Sequence, residues 1–452
     1  MEVSKCTVIL TTYNRKKQLQ DTLQWLEKVD AISNVIIVDN GSSDGTEEWL
    51  STQQHEYIWF DEGVQGYGIL WNTILSHFPV EENIVFMEAG VYPEQRCLCE
   101  LANALQMEKI EIVSPMTNCF MPDKNNRVVS REELLHNRLY YQGVRDREVY
   151  RYVLCTNWKI WAAQRELFDR SGAFEEHLCQ PEDVLTDYSL RLIQSGLRQM
   201  VCRTACAFES FARPDEIYGQ ADRWRNDDRV FLKQKYDMNY FNLIPNRFVA
   251  ECIQEEEDKA FKVLEIGCDL GANLFGIRSN YPKCEIYGLE INEAAVKIAK
   301  YIANVKCGNI DELQIPFQEK FDYIIFGDVL EHLRHPEEVV RMCRNMLKEN
   351  GYIIASIPNV MHISVMEELI DGRFRYGDMG LLDRTHIHFF TYREIVELFQ
   401  GSGYLIKYLD GITFNTTERQ RQLKKVLLEL SDVTEDWMYE TYQYIIKAQK
   451  QI

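Results

Sequence analysis

Two places in the chain open in the same way, and that repetition constrains the fold more than any other feature. The apolar run Thr7–Leu10 passes into the polar turn of TTYNR and then into a helical period. Far downstream, Lys262–Ile266 passes into GCDLGAN and a second helical period. Each opening starts an alternation of short β-rich runs with amphipathic stretches, which is the pattern of an α/β layer with a mostly parallel sheet. In the first half the strands read VIL, NVIIVDN, NIVFMEAG and EIVSPM, and Leu19, Leu23 and Leu26 share one face of a helix over Lys16–Glu27. In the second half KVLEIG, EIYGLEI, ANVKCG, FDYIIFGD and YIIASIPN read as five parallel strands. YLIKYLDG and TYQYIIKA close the sheet as an antiparallel edge, with the helix RQRQLKKVLLEL between them. The stripe Leu423, Val426, Leu427 and Leu430 on that helix is expected to pack into the core.

A chain of 452 residues has room for two large domains or three of ordinary size. The stretch from Pro214 to Lys259 is rich in charge and aromatics and carries no Gly/Ser or Pro-rich tether. It reads as the closing helices of the first domain and a charged connector. The expected domains are therefore 1–245 and 246–452. A net charge of −20 opposes binding to nucleic acid or to an anionic membrane. No apolar run approaches a membrane span, and MEVSKCTVILTTYN has no secretory signal pattern, so a cytoplasmic location is expected. The 13 cysteines include no C-x-x-C spacing and read as reduced, mostly buried thiols rather than metal ligands.

The second half carries the sharper chemistry. In VLEIGCDLGAN a strand ends in a turn where Gly267 lets the backbone bend sharply and Gly271 removes a Cβ at a helix start. Any βα turn favours glycine. The next strand, however, ends in YGLEIN and presents Glu290 at its tip, where a carboxylate can accept from both ribose hydroxyls of a nucleoside. The alternative for Glu290 is a plain surface carboxylate, and its pairing with the glycine turn favours the nucleoside.

The segments EIGCDLG, GLEINEAA, GNIDEL, FDYIIFGDVLEHLRHPEEVV, LKENGYIIASIPN and LLDRTHIHFFT, in that order, resemble the class I S-adenosylmethionine-dependent methyltransferases, most closely those associated with glycan biosynthesis. The resemblance spans roughly 250–452. It implies that Glu265, Gly267 and Gly271 line the methionine and ribose side and that Glu290 holds the ribose. It also implies that Asn309 and Ile310 flank the adenine and that Asp328 lies beside the sulfonium. Asp269 stands where relatives have the middle glycine of the turn, and Asn309 where they often have an acid. Methyl transfer to a hydroxyl needs alignment and a proton acceptor. His332, just past the fourth strand, and His386, in the segment that covers the pocket, are candidate bases, with Asp383 and Arg384 as candidates to orient the acceptor. Equally, His332 can simply hold the start of its helix. His388 points away from His386 if the segment is extended.

In the first half, VILTTYNR followed by VIIVDNGSSDGTEEWL puts Asp39 at the tip of a strand and a Gly-Ser-Ser-Asp-Gly-Thr turn before a helix. Asp44 or Ser43 suits a helix cap, and Asp39 suits the amide of a nucleobase. This half, roughly 4–240, resembles glycosyltransferase family 2, of the GT-A fold. The resemblance implies a nucleotide-sugar donor such as a UDP-sugar, with Thr11, Tyr13 and Asn14 near the nucleotide, Asp39 at the base and Asn72 near the diphosphate. It further implies a metal-binding Asp-x-Asp, where this chain reads Glu88-Ala89-Gly90. Glu88 alone is a weak site for a hard divalent ion, so no metal ligand set is assigned. The acceptor base is expected at Glu182 or Asp183 in PEDVLTDYSLRL, reaching the site from a bulged loop, and Glu209 takes the place of a histidine that commonly follows. If this half transfers sugars, Arg or Lys must neutralise part of the diphosphate charge. The expected protein is a bifunctional transferase acting on a glycan or a glycosylated peptide or protein. The alternatives are an active methyltransferase with a degenerate first domain used for binding, and an assembly scaffold with no activity.

Overall fold

The computed structural model describes residues 5–60, 65–77, 83–108, 110–119, 130, 132–135, 149–210, 221–238, 240–432 and 435–451. The chain divides into two units, Met1–Ile244 and Pro245–Ile452. Among the described residues no helix is long and apolar enough to cross a membrane.

The strands of the first unit are β1 (Cys6–Thr12), β2 (Ile32–Asp39), β3 (Glu56–Trp59), β4 (Asn83–Glu88), β5 (Val91–Pro93), β6 (Ile110–Thr117), β7 (Tyr150–Val153), β8 (Ile160–Gln164) and β9 (Arg198–Glu209). They form one sheet in the order β3-β2-β1-β4-β8-β6-β9-β5, with β7 also paired to β9. β3, β2, β1 and β4 run parallel, whereas β8 is antiparallel to both β4 and β6. The sheet is thus mixed rather than mostly parallel. A buried strand looks equally apolar in either direction, so the route of the chain decides the direction of β8. Alternation along each strand serves two cores. Val8, Leu10, Val85 and Met87 face one cluster, and Ile9, Ile84 and Phe86 face the other. On the second face Phe86 stacks on its register partner Trp161 with ring centroids 4.2 Å apart. Of the charged connector, 214–220 lie outside the described residues, and Ala221–Tyr236 form a helix.

The second unit contains β10 (Lys262–Ile266), β11 (Glu285–Glu290), β12 (Asn304–Cys307), β13 (Phe321–Gly327), β14 (Leu347–Pro358), β15 (Tyr404–Thr413) and β16 (Thr441–Lys450). The order is β12-β11-β10-β13-β14-β16-β15, with the first five parallel and β16 antiparallel to both β14 and β15. This is the expected doubly wound sheet with its antiparallel edge. Strand order reverses between β10 and β13, which opens a crevice at the C-terminal edge of the sheet.

The helix Glu418–Leu430 departs from expectation. It buries no residue, and Val426 and Leu430 are 50% and 81% exposed. Polar pairs hold it instead. Arg419 bonds Glu367 and Asp371, Gln420 Nε2 donates to Glu367, and Lys424 bonds Asp436 and Glu440. Periodicity predicts a helix with an apolar face but not whether a neighbour covers that face.

Candidate functional site

In the second unit the turn after β10 is built around two left-handed glycines. Gly267 has φ +69°, and a Cβ there would lie 2.6 Å from Val329 Cγ2. Gly271 has φ +82° and starts the helix Ala272–Asn280. Asp269, in the middle of the turn, also takes a positive φ of 46°, a conformation that Asp tolerates better than most residues other than glycine. Its N–H donates to Glu290 Oε2 at 2.8 Å, while Asn292 N–H donates to Glu290 Oε1 at 2.8 Å. Two amides thus aim the Glu290 carboxylate and leave each oxygen a lone pair for a ligand. Glu265 is 1% exposed. Its Oε1 accepts from Asn273 Nδ2 at 2.6 Å, whereas Oε2 has no hydrogen-bond partner among the described residues. Burial pushes its carboxyl up to about 8. An orphaned, buried carboxylate oxygen at the head of a crevice calls for a ligand that donates a proton or carries positive charge. These residues fit the ammonium and ribose of S-adenosylmethionine. Asn309 caps the 3-10 turn Ile310–Glu312 through Asp311 N–H at 3.0 Å, and Ile310 is buried.

The end of β13 sits beside this turn, because Val329 packs on Gly267. Asp328 takes φ +55°, its N–H donates to Ser356 Oγ at 3.0 Å, and its Oδ1 accepts from Gln443 Nε2. Next comes a cluster that the sequence half revealed. Glu331 is buried, neither carboxyl oxygen has a hydrogen-bond partner among the described residues, and burial holds its carboxyl well above the ordinary range. His386 Nε2 lies 3.9 Å from Glu331 Oε1, and the His332 and His386 rings are 4.8 Å apart. Burial, then the neighbouring His332, makes His386 harder to protonate. His332 Nδ1 is 3.1 Å from Thr385 O and His386 Nδ1 is 3.2 Å from Leu381 O, so backbone carbonyls fix the Nδ1 side of both rings. The Glu331 carbonyl accepts from Ile387 and His388 N–H and clamps the covering segment to the strand end. The Glu331, His332 and His386 ligand atoms lie within 4.8 Å of one another, a spacing that a cation could bridge.

Three further candidates are held in local networks of their own. Asp383 Oδ1 accepts from both the N–H and the hydroxyl of Thr385 and so shapes the turn that carries His386. Arg384 is exposed and pairs with Asp378. His388 Nε2 is 3.3 Å from Arg334 O, away from the His332–His386 pair. Beside His386 an open aromatic group is formed by Phe374, Tyr376 and Phe389, with Phe389 6.4 Å from the His386 ring.

In the first unit, register sets the candidates abreast at the C-terminal edge of the parallel strands, with Thr12 opposite Asp39 and Thr11 opposite Glu88. Asp39 is fully buried. Its Oδ1 accepts from Ser42 N–H at 2.9 Å and its Oδ2 has no hydrogen-bond partner among the described residues. Burial raises its carboxyl. Asn14, at φ +51°, accepts from Ser43 N–H at 2.7 Å and ties the β1 loop to the glycine-serine turn. Tyr13 packs partly buried on the second core cluster. Glu88 Oε1 accepts from Tyr67 Oη at 2.8 Å, and burial pushes its carboxyl up to about 7.

Three placements here differ from the sequence expectation. Asn72 is committed to the fold. Its Nδ2 donates to Phe174 O and Glu176 Oε1, and its Oδ1 accepts from Phe174 N–H, so no amide hydrogen is left for a diphosphate. Glu182 and Asp183 stand not in a bulged loop but in the first turn of the helix Pro181–Gln194. Successive residues on a helix diverge by about 100°. Glu182 therefore lines a cavity of about 330 Å³ with Cys155, Trp158, Lys159, Phe241 and Ile244. Asp183 instead faces the buried Asp228, which accepts from Cys179 and Gln180 N–H. Burial, then the neighbouring Asp228, pushes the Asp183 carboxyl up to about 7, and burial pushes Asp228 up to about 6 against the hydrogen bonds it accepts. Glu209 is saturated by Lys159, Thr117 and Asn157.

A family model described as glycosyl transferase family 2 matches residues 7–172, and one described as a methyltransferase domain matches residues 232–407. The chain joins a family 2 glycosyltransferase domain to a methyltransferase domain. The methyltransferase domain is of the S-adenosylmethionine-dependent class. The ubiquinone biosynthesis O-methyltransferase of Shewanella pealeana is 24% identical over 164 residues, covering 34% of this chain and 67% of its own length. Its namesake in Alkalilimnicola ehrlichii is 24% identical over 210 residues, covering 45% of this chain and 82% of its own. Among solved structures, a mannosyltransferase from Pyrobaculum calidifontis in complex with GDP-Man and Mn2+ is 20% identical at a TM-score of 0.36, covering 52% of this chain and 63% of its own.

Several partners of the named residues escaped the sequence reading. Glu331 lies in GDVLEHL directly before His332, but adjacency gives no hint that its side chain is buried against a histidine 55 residues on. Tyr67 on Glu88 and Asp228 on Asp183 are likewise long-range contacts. Arg15 could have been found, because it follows Tyr13 and Asn14 in the β1 loop of the glycosyltransferase domain.

Proposed function

We propose that the protein is a bifunctional glycan-modifying enzyme that transfers a sugar from a nucleotide-sugar donor and a methyl group from S-adenosylmethionine to a glycan or glycosylated acceptor. The observation that carries the methyl-transfer half is the buried Glu331–His386 pair, with His332 beside it, one residue contact from the Gly267 turn. Bound S-adenosylmethionine supplies a methyl group activated by its sulfonium. Glu265 pairs with the ammonium, Glu290 accepts from the ribose hydroxyls, and Ile310 with Asn309 borders the adenine. Gly267 and Gly271 let the backbone approach, and Asp328 faces the reacting end. His386 or His332 takes the proton of the acceptor hydroxyl. Hydroxyl acceptors accord with the O-methyltransferase names of the relatives. The aromatic group of Phe374, Tyr376 and Phe389 supports a ring-shaped acceptor such as a sugar stacking on an exposed apolar surface.

In the glycosyltransferase domain, Asp39 with its free Oδ2 receives the base of a UDP-type donor, Thr11, Tyr13 and Asn14 border the nucleotide, and Glu182 faces the acceptor cavity as base. A second reading keeps only methyl transfer, with the first domain binding acceptor. Its support is Glu88 tied to Tyr67 and Gly90 offering no ligand.

The test is single-turnover methyl transfer to saccharide acceptors, followed by mass, in EDTA and in Mg2+. His386→Ala and His332→Ala are expected to lower the rate about 10²–10⁴-fold with S-adenosylmethionine affinity within a few-fold. Normal turnover in both variants removes the base assignment. Methylation without any sugar transfer or nucleotide-sugar hydrolysis selects the second reading.

A further inference from the structure

We infer that Arg15 occupies the place of the divalent cation in the glycosyltransferase domain and binds the diphosphate of a nucleoside diphosphate directly. The inference rests on reading this domain as a nucleotide-sugar domain, and it concerns how the negative charge is met.

The ordinary metal position is closed in this chain. Gly90 takes φ +93°, its N–H donates to Thr22 Oγ1 at 2.9 Å, and a Cβ there would lie 2.4 Å from Ser210 Oγ. The site is therefore not a vacancy that an aspartate would fill without displacing Ser210. Glu88, the remaining acid, is buried and already accepts from Tyr67. A carboxyl that is buried and half neutral near pH 7 is a poor ligand for Mg2+ or Mn2+.

A cation of the protein's own stands at that place. Arg15 follows the β1 loop, and its Nη1 donates to the carbonyl of Ala89, between Glu88 and Gly90, at 3.0 Å. The same nitrogen lies 3.9 Å from where a Cβ of residue 90 would be. The cations that act on Glu88 are Arg15 and Lys159. Lys159 is taken by Glu209 at 3.1 Å. Arg15, among the described residues, makes one hydrogen bond to a carbonyl and no ion pair. A guanidinium has five donors in a planar fork suited to phosphate oxygens.

The surroundings point independently to a ligand. Asp39 Oδ2 and Thr12 Oγ1, on register partners at the ends of β2 and β1, are buried with no hydrogen-bond partner among the described residues. Orphaned polar atoms at the C-terminal edge of parallel strands mark where a nucleotide sits. The start of the helix Lys16–Leu26, next to Arg15, is already capped by Asp44, whose Oδ2 accepts from Lys16 N–H at 2.9 Å.

The experiment is calorimetric titration of the full chain with UDP and GDP, in EDTA and in Mn2+. Binding in EDTA is expected to lie within about 3-fold of that in Mn2+. Arg15→Met should weaken it at least 10-fold in EDTA, and Arg15→Lys should restore part of the loss; a thermal melt checks that both variants fold. Binding by the wild type only in Mn2+, or equal affinity of wild type and Arg15→Met, overturns the assignment of Arg15. No binding of either nucleotide in either buffer overturns the donor-domain reading, and the inference falls with it.

Discussion

Glu265 offers a test in which stability and ligand binding pull in opposite directions. Its carboxyl is raised from an ordinary 4.5 to about 8 by burial, and among the described residues its hydrogen-bond partner is Asn273. A buried acid whose proton is held more tightly in the folded state favours folding while protonated. That contribution is whole below pH 4.5 and is lost as the pH rises to about 8. At about 1.4 kcal/mol per tenfold change in proton affinity, ionising Glu265 costs the fold roughly 5 kcal/mol, of which about 3 is felt at pH 7. Glu265→Gln keeps the bond from Asn273 and cannot ionise. Its amide hydrogens add a constant offset of about 1–3 kcal/mol, equal at every pH. The difference in stability between variant and wild type should therefore change by roughly 5 kcal/mol in favour of the variant between pH 4.5 and 9. Opening free energies from hydrogen exchange on peptides of β10 and β13 read this in the methyltransferase domain alone. Ligand binding moves the other way. If the ammonium of S-adenosylmethionine pairs with Glu265, binding at pH 7 should release close to one proton, measured by calorimetry in buffers of different ionisation enthalpy. The variant should release none and bind about 10- to 100-fold more weakly. A stability difference that is flat with pH, or unaltered affinity with no proton release, refutes the reasoning.

Glu290→Ala should weaken S-adenosylmethionine binding by about 1.5–3 kcal/mol, the worth of a charged hydrogen-bond acceptor, in the same calorimetry. Gly267→Ala puts a Cβ 2.6 Å from Val329 in a left-handed backbone and should lower the stability of the methyltransferase domain by about 1–3 kcal/mol in denaturant melts. In the glycosyltransferase domain, Asp183 and Asp228 are both raised from an ordinary 3.8, so wild type should lose stability as the pH rises from about 4 to about 7. Asp183→Asn should recover roughly 2 kcal/mol at pH 8, allowing for partial exposure, with no gain at pH 4. An equal gain at both pH values would mean the pair carries no shared proton.

Much of this protein is legible from residues alone. The two strand-turn-helix openings, the alternation of apolar runs and the antiparallel closing edge are local patterns, each written within ten or so consecutive residues. So are Gly267, Gly271 and Glu290, because a turn that needs positive φ and a strand tip that presents an acid are set by neighbours in sequence. What only the tertiary structure decided are matters of side-chain environment between distant segments. Whether Glu88 is free to hold an ion depends on Tyr67, whether Asn72 can reach a ligand depends on Phe174 and Glu176, and whether His386 has a buried carboxyl beside it depends on Glu331. The apolar stripe of Glu418–Leu430 marks the same boundary. Its period is encoded locally, but burial is a property of the neighbour that comes to cover a face, and for this helix the neighbours bring charges instead.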